Sequence, residues 1–238
     1  MKKLNFEGIV QKGIFDFDMI QDGDSLAVGV SGGKDSLAIL LALSRIKKYS
    51  PVSFTLNAVT LDLGIGNADF SAINFLCNSL EIPYYIEETR IGEIVFNVRK
   101  EESPCSLCAN LRRGALNNKA VKIGCNKVVL GHHRDDAVET MMMSLLYEGR
   151  FHSFSPVTYL SRKNIHVLRP LIYVKEKEVI EYCKSNNLIP VKSPCPATGT
   201  TNREKIKRTI ADFERENPDI RELLFGAIKR SEIQGWKK

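Results

Sequence analysis

The sequence predicts an α/β protein, a doubly wound parallel sheet with helices on both faces and a helical C-terminal tail. Three observations carry this expectation. Short apolar runs rich in β-branched residues alternate with longer segments of helical period, the pattern of parallel strands joined by crossover helices. Glycine-rich stretches stand where strands should hand the chain to helices. Beyond residue 190 the alternation stops, and a loop is followed by charged helical segments.

The elements follow in order. A lead-in, residues 1–24, holds a helix from Phe6 to Ile20. After Asp22-Gly23-Asp24, Leu26 to Val30 reads as a buried strand and Asp35 to Lys48 as an amphipathic helix. Val52 to Leu61 is a second strand, Asp69 to Leu80 a second helix, and Pro83 to Glu87 a short third strand. Pro104 to Ile123 is a long helix that Gly124 ends as a C-cap. Then come a strand at Lys127 to Leu130, a helix at Asp135 to Tyr147, a strand at His166 to Leu168 and a helix at Lys175 to Ser185. Residues 25–190 therefore form the main domain. In the tail, 191–238, a loop with Pro194, Pro196 and Gly199 precedes helices Arg203 to Glu216 and Pro218 to Ile233.

Composition narrows the function. The chain has 238 residues, 43% hydrophobic and 26% charged, which excludes a disordered chain. Its longest apolar run, Leu37 to Leu43, falls well short of the roughly 20 residues of a membrane span. Glu7, Gln11 and Lys12 interrupt any secretory signal, so a cytoplasmic protein without a membrane partner is expected. The 34 basic and 28 acidic residues leave +6, weak support for a nucleic-acid partner. Six cysteines in such a chain suggest metal or redox chemistry rather than a disulfide scaffold.

Three motifs carry chemistry. Ser31-Gly32-Gly33-Lys34-Asp35-Ser36 joins the first strand to the first helix. Paired glycines let backbone approach an anion, and the helix N-terminus supplies amides and a positive dipole end for phosphate. The Walker spacing is absent, because Gly29 sits one residue too close and Asp35 replaces the magnesium-binding hydroxyl. Cys105 and Cys108 share one face of a helix that Ser103 should cap, where the dipole is expected to lower thiol pKa, and Cys195 adds a distant third sulfur. By itself the Cys-x-x-Cys pair fits zinc, a redox pair or coincidence. Gly131-His132-His133-Arg134-Asp135-Asp136 opens a second strand-to-helix turn. His132, Asp135, Asp136 and Glu139 can share its edge and hold magnesium, or the aspartates can simply cap the helix. Cys77, Cys125, Cys183 and the Met141-Met142-Met143 run read as core.

The hexapeptide resembles the pyrophosphate loop of the N-type ATP pyrophosphatases, a PP-loop superfamily with a Rossmann-like fold. With Pro104-Cys105-Ser106-Leu107-Cys108, Leu111-Arg112-Arg113-Gly114 and the Gly-His-His-x-Asp-Asp motif, the chain is similar to the tRNA 2-thiocytidine synthetase branch. The likeness runs from Leu26 to Phe225. It implies a tRNA sulfurtransferase that adenylates a base carbonyl, most simply cytidine C2, with ATP and magnesium. Catalysis is then expected of Lys34, Asp35, Asp135 and Asp136, and ATP binding of Ser31 to Ser36, Asp62, Gly131 and Arg169. It further implies a 4Fe-4S cluster on Cys105, Cys108 and Cys195. Family members often carry a second late Cys-x-x-Cys, whereas Pro196-Ala197-Thr198-Gly199 follows Cys195 here, leaving one late thiolate. Asp62 has a plainer reading as a strand terminator, and Arg169 as a surface ion pair.

Arg112, Arg113, Arg203, Lys205, Lys207 and Arg208 are candidates for tRNA phosphates, against the plainer reading of solvated helix faces. A sulfur donor (sulfide, or sulfur from a cysteine desulfurase) and a homodimer are also expected. A lysidine-type synthetase with an amine nucleophile would keep the loop but not need the cysteines. A nucleotide-binding iron-sulfur redox sensor would need no turnover.

Overall fold

One sheet organises the molecule. Its strands are β1 (Asp24–Gly29), β2 (Phe54–Asp62), β3 (Tyr84–Glu88), β4 (Lys127–Val129), β5 (Val157–Leu160) and β6 (Ile165–Leu168). They lie in the order β3-β2-β1-β4-β6-β5. All neighbours are parallel except β5, which pairs antiparallel with β6. In this computed structural model the described residues are 5–66, 68–99, 104–191, 195 and 201–236. Ser103 of the cysteine motif, and Pro194, Pro196 and Gly199 of the late loop, lie outside them.

The helices are α1 (Phe6–Asp16), α2 (Lys34–Lys47), α3 (Ser71–Ser79), α4 (Pro104–Lys122), α5 (Arg134–Glu148), α6 (Glu176–Ser185), α7 (Asn202–Glu216) and α8 (Ile220–Arg230). Most expected boundaries hold within two residues. The lead-in helix is shorter than expected. It stops at Asp16 because Asp18 takes φ +47° and Met19 turns back to donate to the Ile14 carbonyl, burying Met19 completely. Gly124 ends α4 at φ +78°, as anticipated. Strand β5 was not anticipated. Four residues joined to β6 by a 3-10 turn at Ser161–Lys163 give too short a period-two signal to read.

Alternation along β1 sorts the two faces of the sheet. Leu26 and Val28 meet Leu37 and Leu40 of α2 and Val138 and Met141 of α5 in the larger core. Ala27 faces the other way, onto Leu116 and Ala120 of α4. The larger core also takes in Phe6 and Val10 from the lead-in and Ile206, Ile210, Phe225, Ile228 and Trp236 from the tail. Burying such a side chain stabilises by about 1.5–3 kcal/mol, which anchors α7 and α8 against α5.

Strand order positions the site. From β1 the chain winds outward through β2 and β3; from β4 it winds the other way toward β6. The crevice at such a reversal, beyond the carboxyl ends of the strands, is where α/β sheets bind ligands. Both motif-bearing turns, 31–36 after β1 and 131–136 after β4, leave the sheet there.

Candidate active site

The loop after β1 is closed by its own hydroxyls. The Ser31 amide donates to Ser36 Oγ (3.2 Å), and that hydroxyl donates to the Gly33 carbonyl (2.8 Å). Gly32 adopts φ +79°, and a Cβ there would stand 3.1 Å from Cβ of Val191. The Val191 amide donates to the Gly32 carbonyl at 2.9 Å, which pins the start of the late cysteine segment onto the loop. Gly33 caps α2 without any side-chain hydrogen bond. The first turn of α2 thus keeps a positive dipole end unshielded by a capping side chain.

Lys34 stands at that end, 3.1 Å from Asp35 and 3.1 Å from Glu176. Burial works against its charge, yet the two carboxylates raise its pKa above the ordinary lysine value. Glu176 also binds Lys207 at 2.7 Å. Burial alone would raise the Glu176 pKa, but Lys207 and Lys34 hold it down to about 2.

The turn after β4 is wedged against the first. A Cβ on Gly131 would meet the Asp35 carbonyl carbon at 2.9 Å and the Ser36 amide at 3.1 Å, so only glycine lets the two turns touch. His133 caps α5 reciprocally: its Nδ1 accepts from the Asp136 amide, and its own amide donates to Asp136 at 2.9 Å. Asp136 also receives Arg203 at 2.9 Å. Asp135 accepts the Glu176 amide at 2.7 Å and lies 3.3 Å from Arg221. Asp35 reaches within 3.6 Å of His133 Nε2, so both motifs meet side chain to side chain. Capping and site roles therefore coexist at Asp136. His132 precedes the helix, close enough to Asp136 to feel its charge, with its ring 5.1 Å from that of Phe154. Burial pushes His132 down to about 4, keeping it neutral. Glu139 does lie on that side of α5; it is buried, its Oε1 has no hydrogen-bond partner, and burial together with Asp136 pushes its pKa up to about 7.

The three candidate cysteines are neighbours. Burial is the main reason the Cys108 thiol is raised; Arg112 pulls it back, and the adjacent Cys195 and Cys105 add to the rise. The depression expected from the helix dipole is thus overturned at Cys108 by desolvation. Among the described residues, no three His, Cys, Asp or Glu side chains are close enough to share a metal ion. The cysteines stand as neighbours rather than a closed ligand shell, and their sulfur chemistry suits iron or zinc, not magnesium. Cys77, Cys125 and Cys183 are all buried, as expected, and Cys183 donates to the Lys34 carbonyl behind the loop.

The other expected residues divide. Asp62 ends β2 and accepts the Gly64 amide at 2.9 Å, a turn-forming role. Arg169 is no surface ion pair. It is 7% exposed, donates to the Ser155 carbonyl and Thr158 Oγ1, and lies over the Phe154 ring at 5.0 Å. Burial, with Arg113 nearby, lowers its pKa to about 10, and its Nε has no hydrogen-bond partner among the described residues. Arg112, Arg113, Lys205 and Arg208 are exposed, whereas Arg203 and Lys207 turn inward onto Asp136 and Glu176. Glu176 was missed by sequence reasoning. In Lys175-Glu176-Lys177-Glu178 it looks like one more charge on a solvated helix start.

Comparisons with known proteins agree with this arrangement. A family model described as PP-loop domain matches residues 5–213. The chain is 36% identical to the tRNA-cytidine(32) 2-sulfurtransferase of Geobacter sulfurreducens, over 92% of this chain and 86% of that protein. It is 37% identical to the Pelobacter propionicus enzyme of the same name, over 92% and 82% respectively. Among solved structures it superposes on the U34-tRNA thiolase NcsA of Methanococcus maripaludis with its [4Fe-4S] cluster, with a TM-score of 0.74 at 24% identity, covering 94% of this chain and 77% of that one. The NH3-dependent NAD synthetase of Campylobacter jejuni shares the fold at a TM-score of 0.53 and 17% identity, covering 95% and 93%. The chain belongs to the PP-loop family, beside its tRNA-cytidine(32) 2-sulfurtransferase relatives.

Proposed function

We propose that this protein is an ATP-dependent tRNA sulfurtransferase whose target is the cytidine at position 32 of the anticodon loop. One observation carries the reading: Cys195, far along the chain from the Cys105–Cys108 pair, lies close enough to Cys108 to influence its thiol, and Val191 is bonded to the phosphate loop. An amine-using synthetase needs no such sulfur cluster beside its nucleotide. The names of the relatives supply the base and its position.

The reaction divides between the two halves of the crevice. The cytosine O2 attacks the α-phosphorus of ATP, the α–β phosphoanhydride breaks, and pyrophosphate leaves while the base keeps AMP. Lys34 and the amides at the start of α2 neutralise the charge that gathers on pyrophosphate. Asp135 and Asp136 are the groups that would hold magnesium, a hard cation suited to carboxylates and phosphates. Asp35, Asp62, Gly131 and Arg169 complete the ATP site in this reading. The orphaned Nε of buried Arg169 supports an anion there, since a buried cation without a counter-charge is costly. Sulfur then takes the place of oxygen at C2 as AMP departs.

A 4Fe-4S cluster on Cys105, Cys108 and Cys195 would leave one iron without a protein thiolate and so carry the sulfur to be transferred. Because the Cys108 thiol is raised, loading would release its proton. Sulfide or a cysteine desulfurase supplies the sulfur. Exposed Arg112, Arg113, Lys205 and Arg208 meet tRNA phosphates, with Arg203 joining them when it leaves Asp136, while Lys207 stays on Glu176. Residues 25–190 form the catalytic domain, preceded by the lead-in 1–24 and followed by the tail 191–238, whose Phe6 and Val10, and Ile206, Ile210 and Phe225, pack into its core. Leu146 and Tyr147, 57% and 54% exposed at the end of α5, support a homodimer. Among the described residues no helix is long and apolar enough to cross a membrane, consistent with a cytoplasmic enzyme.

The test is a reconstituted reaction. Anaerobically loaded protein, ATP, magnesium, sulfide and unmodified tRNA should yield AMP, pyrophosphate and 2-thiocytidine by nucleoside mass spectrometry. Cys108→Ser should abolish the thionucleoside. A protein that binds only zinc, or thiolated product that persists without Cys108, would overturn the reading.

A further inference from the structure

We infer that Glu176 is a positioning residue that holds the Lys34 ammonium for the departing pyrophosphate and ties it to the tail helix through Lys207. The inference rests on the adenylation reading above and adds to it a residue outside all three sequence motifs.

The geometry is a bridge with a fixed pier. Glu176 is the first residue of α6, and its own amide donates to Asp135 at 2.7 Å. One residue before it, the Lys175 amide donates to Glu178 at 2.7 Å, closing the first turn. The backbone of Glu176 is therefore held from two sides. From it the carboxylate reaches Lys34 at 3.1 Å and Lys207 at 2.7 Å. Lys34 has three N–H donors on a flexible stem, and Asp35 at 3.1 Å takes another of them. Two carboxylates thus fix the ammonium while leaving a donor for a phosphate oxygen.

Charge explains why the bridge needs its second foot. A lone carboxylate beside a triphosphate repels it. Lys207 offsets that repulsion, so Lys34, Glu176 and Lys207 together keep a net charge of one plus. Glu176 consequently holds the lysine at little cost to nucleotide binding, provided α7 is docked.

Two variants test this. Glu176→Gln keeps the side chain's size and an acceptor oxygen but removes its charge, so Lys34 loses one of its two ionic partners and keeps Asp35. We expect single-turnover AMP formation with tRNA to slow by about tenfold while the KM for ATP stays level or falls, and Glu176→Asp to restore part of the rate. Lys207→Met leaves Glu176 uncompensated and should raise the KM for ATP without changing the KM for tRNA. A Glu176→Gln protein with wild-type rate would overturn the inference. So would one whose kcat and KM both worsen in step with a lower Tm, the mark of a merely structural residue. Lys207→Met raising only the KM for tRNA would overturn it too. If the wild-type protein makes no AMP, the adenylation reading fails first, which separates the two failures.

Discussion

The two strand-to-helix junctions at the crevice share a topology and differ in chemistry. After β1, Gly33 caps α2 with no side chain, and the side chains that close the loop from within are the hydroxyls of Ser31 and Ser36. After β4, His133 and Asp136 cap α5 reciprocally, and Asp135 and Asp136 are engaged by Arg221 and Arg203. The first junction offers amides and a cation, the second carboxylates. Set side by side on adjacent strands, one suits phosphate oxygens and the other the cation that accompanies them. Parallel neighbours in the sheet have thus become complementary halves of one site through the residues of two short turns.

The largest effect should come from forcing these halves apart. In Gly131→Ala the new methyl would meet Asp35 and Ser36 backbone at 2.9–3.1 Å, which cannot rotate away. We expect a loss of about 1–3 kcal/mol in denaturant unfolding and no thermal protection by magnesium-ATP. Protection equal to wild type would mean the junctions work independently.

A smaller, pH-gated effect is expected at Glu139. Its folded pKa of about 7 lies above the ordinary value of 4.5, so the folded state holds a proton that the unfolded chain has lost. Stability should therefore fall as pH rises from 4.5 to about 7 and then level off. Glu139→Gln should match wild type near pH 4.5 and exceed it at pH 8, measured by urea midpoints. Identical midpoints at pH 8 would remove Glu139 from the strained, carboxylate-rich side of the comparison.

The smallest effect sharpens the contrast in capping. His133→Ala removes the acceptor for the Asp136 amide and should cost about 1 kcal/mol. At Gly33 there is no side-chain cap to lose. A denaturation midpoint unchanged in His133→Ala would show that Arg203 and the residue-133 backbone amide suffice to order Asp136.

Local chemistry made much of this legible. The hexapeptide and the Gly-His-His-Arg-Asp-Asp segment announce themselves because turns that approach phosphate or start a helix need particular residues at fixed offsets. Strand β5 stayed hidden because four residues on an edge carry too little period-two signal. Sequence could not separate an ATP-site Arg169 from a surface ion pair, since nothing nearby says that the β5–β6 hairpin will fold over it.

The amino-acid order by itself determined the α/β alternation, the anion-binding loop, the acidic helix start and the Cys105–Cys108 pair on one helix face, all of which depend on residues close in sequence. Tertiary structure alone decided that Glu176 bridges Lys34 to Lys207, that Arg203 and Lys207 turn inward, and that Cys108 is raised rather than lowered. Those outcomes depend on burial and on charges brought together from distant parts of the chain: Lys207 lies 31 residues beyond Glu176, and Arg203 67 beyond Asp136. Desolvation and pairing at such separations exist only once the sheet has closed the distance.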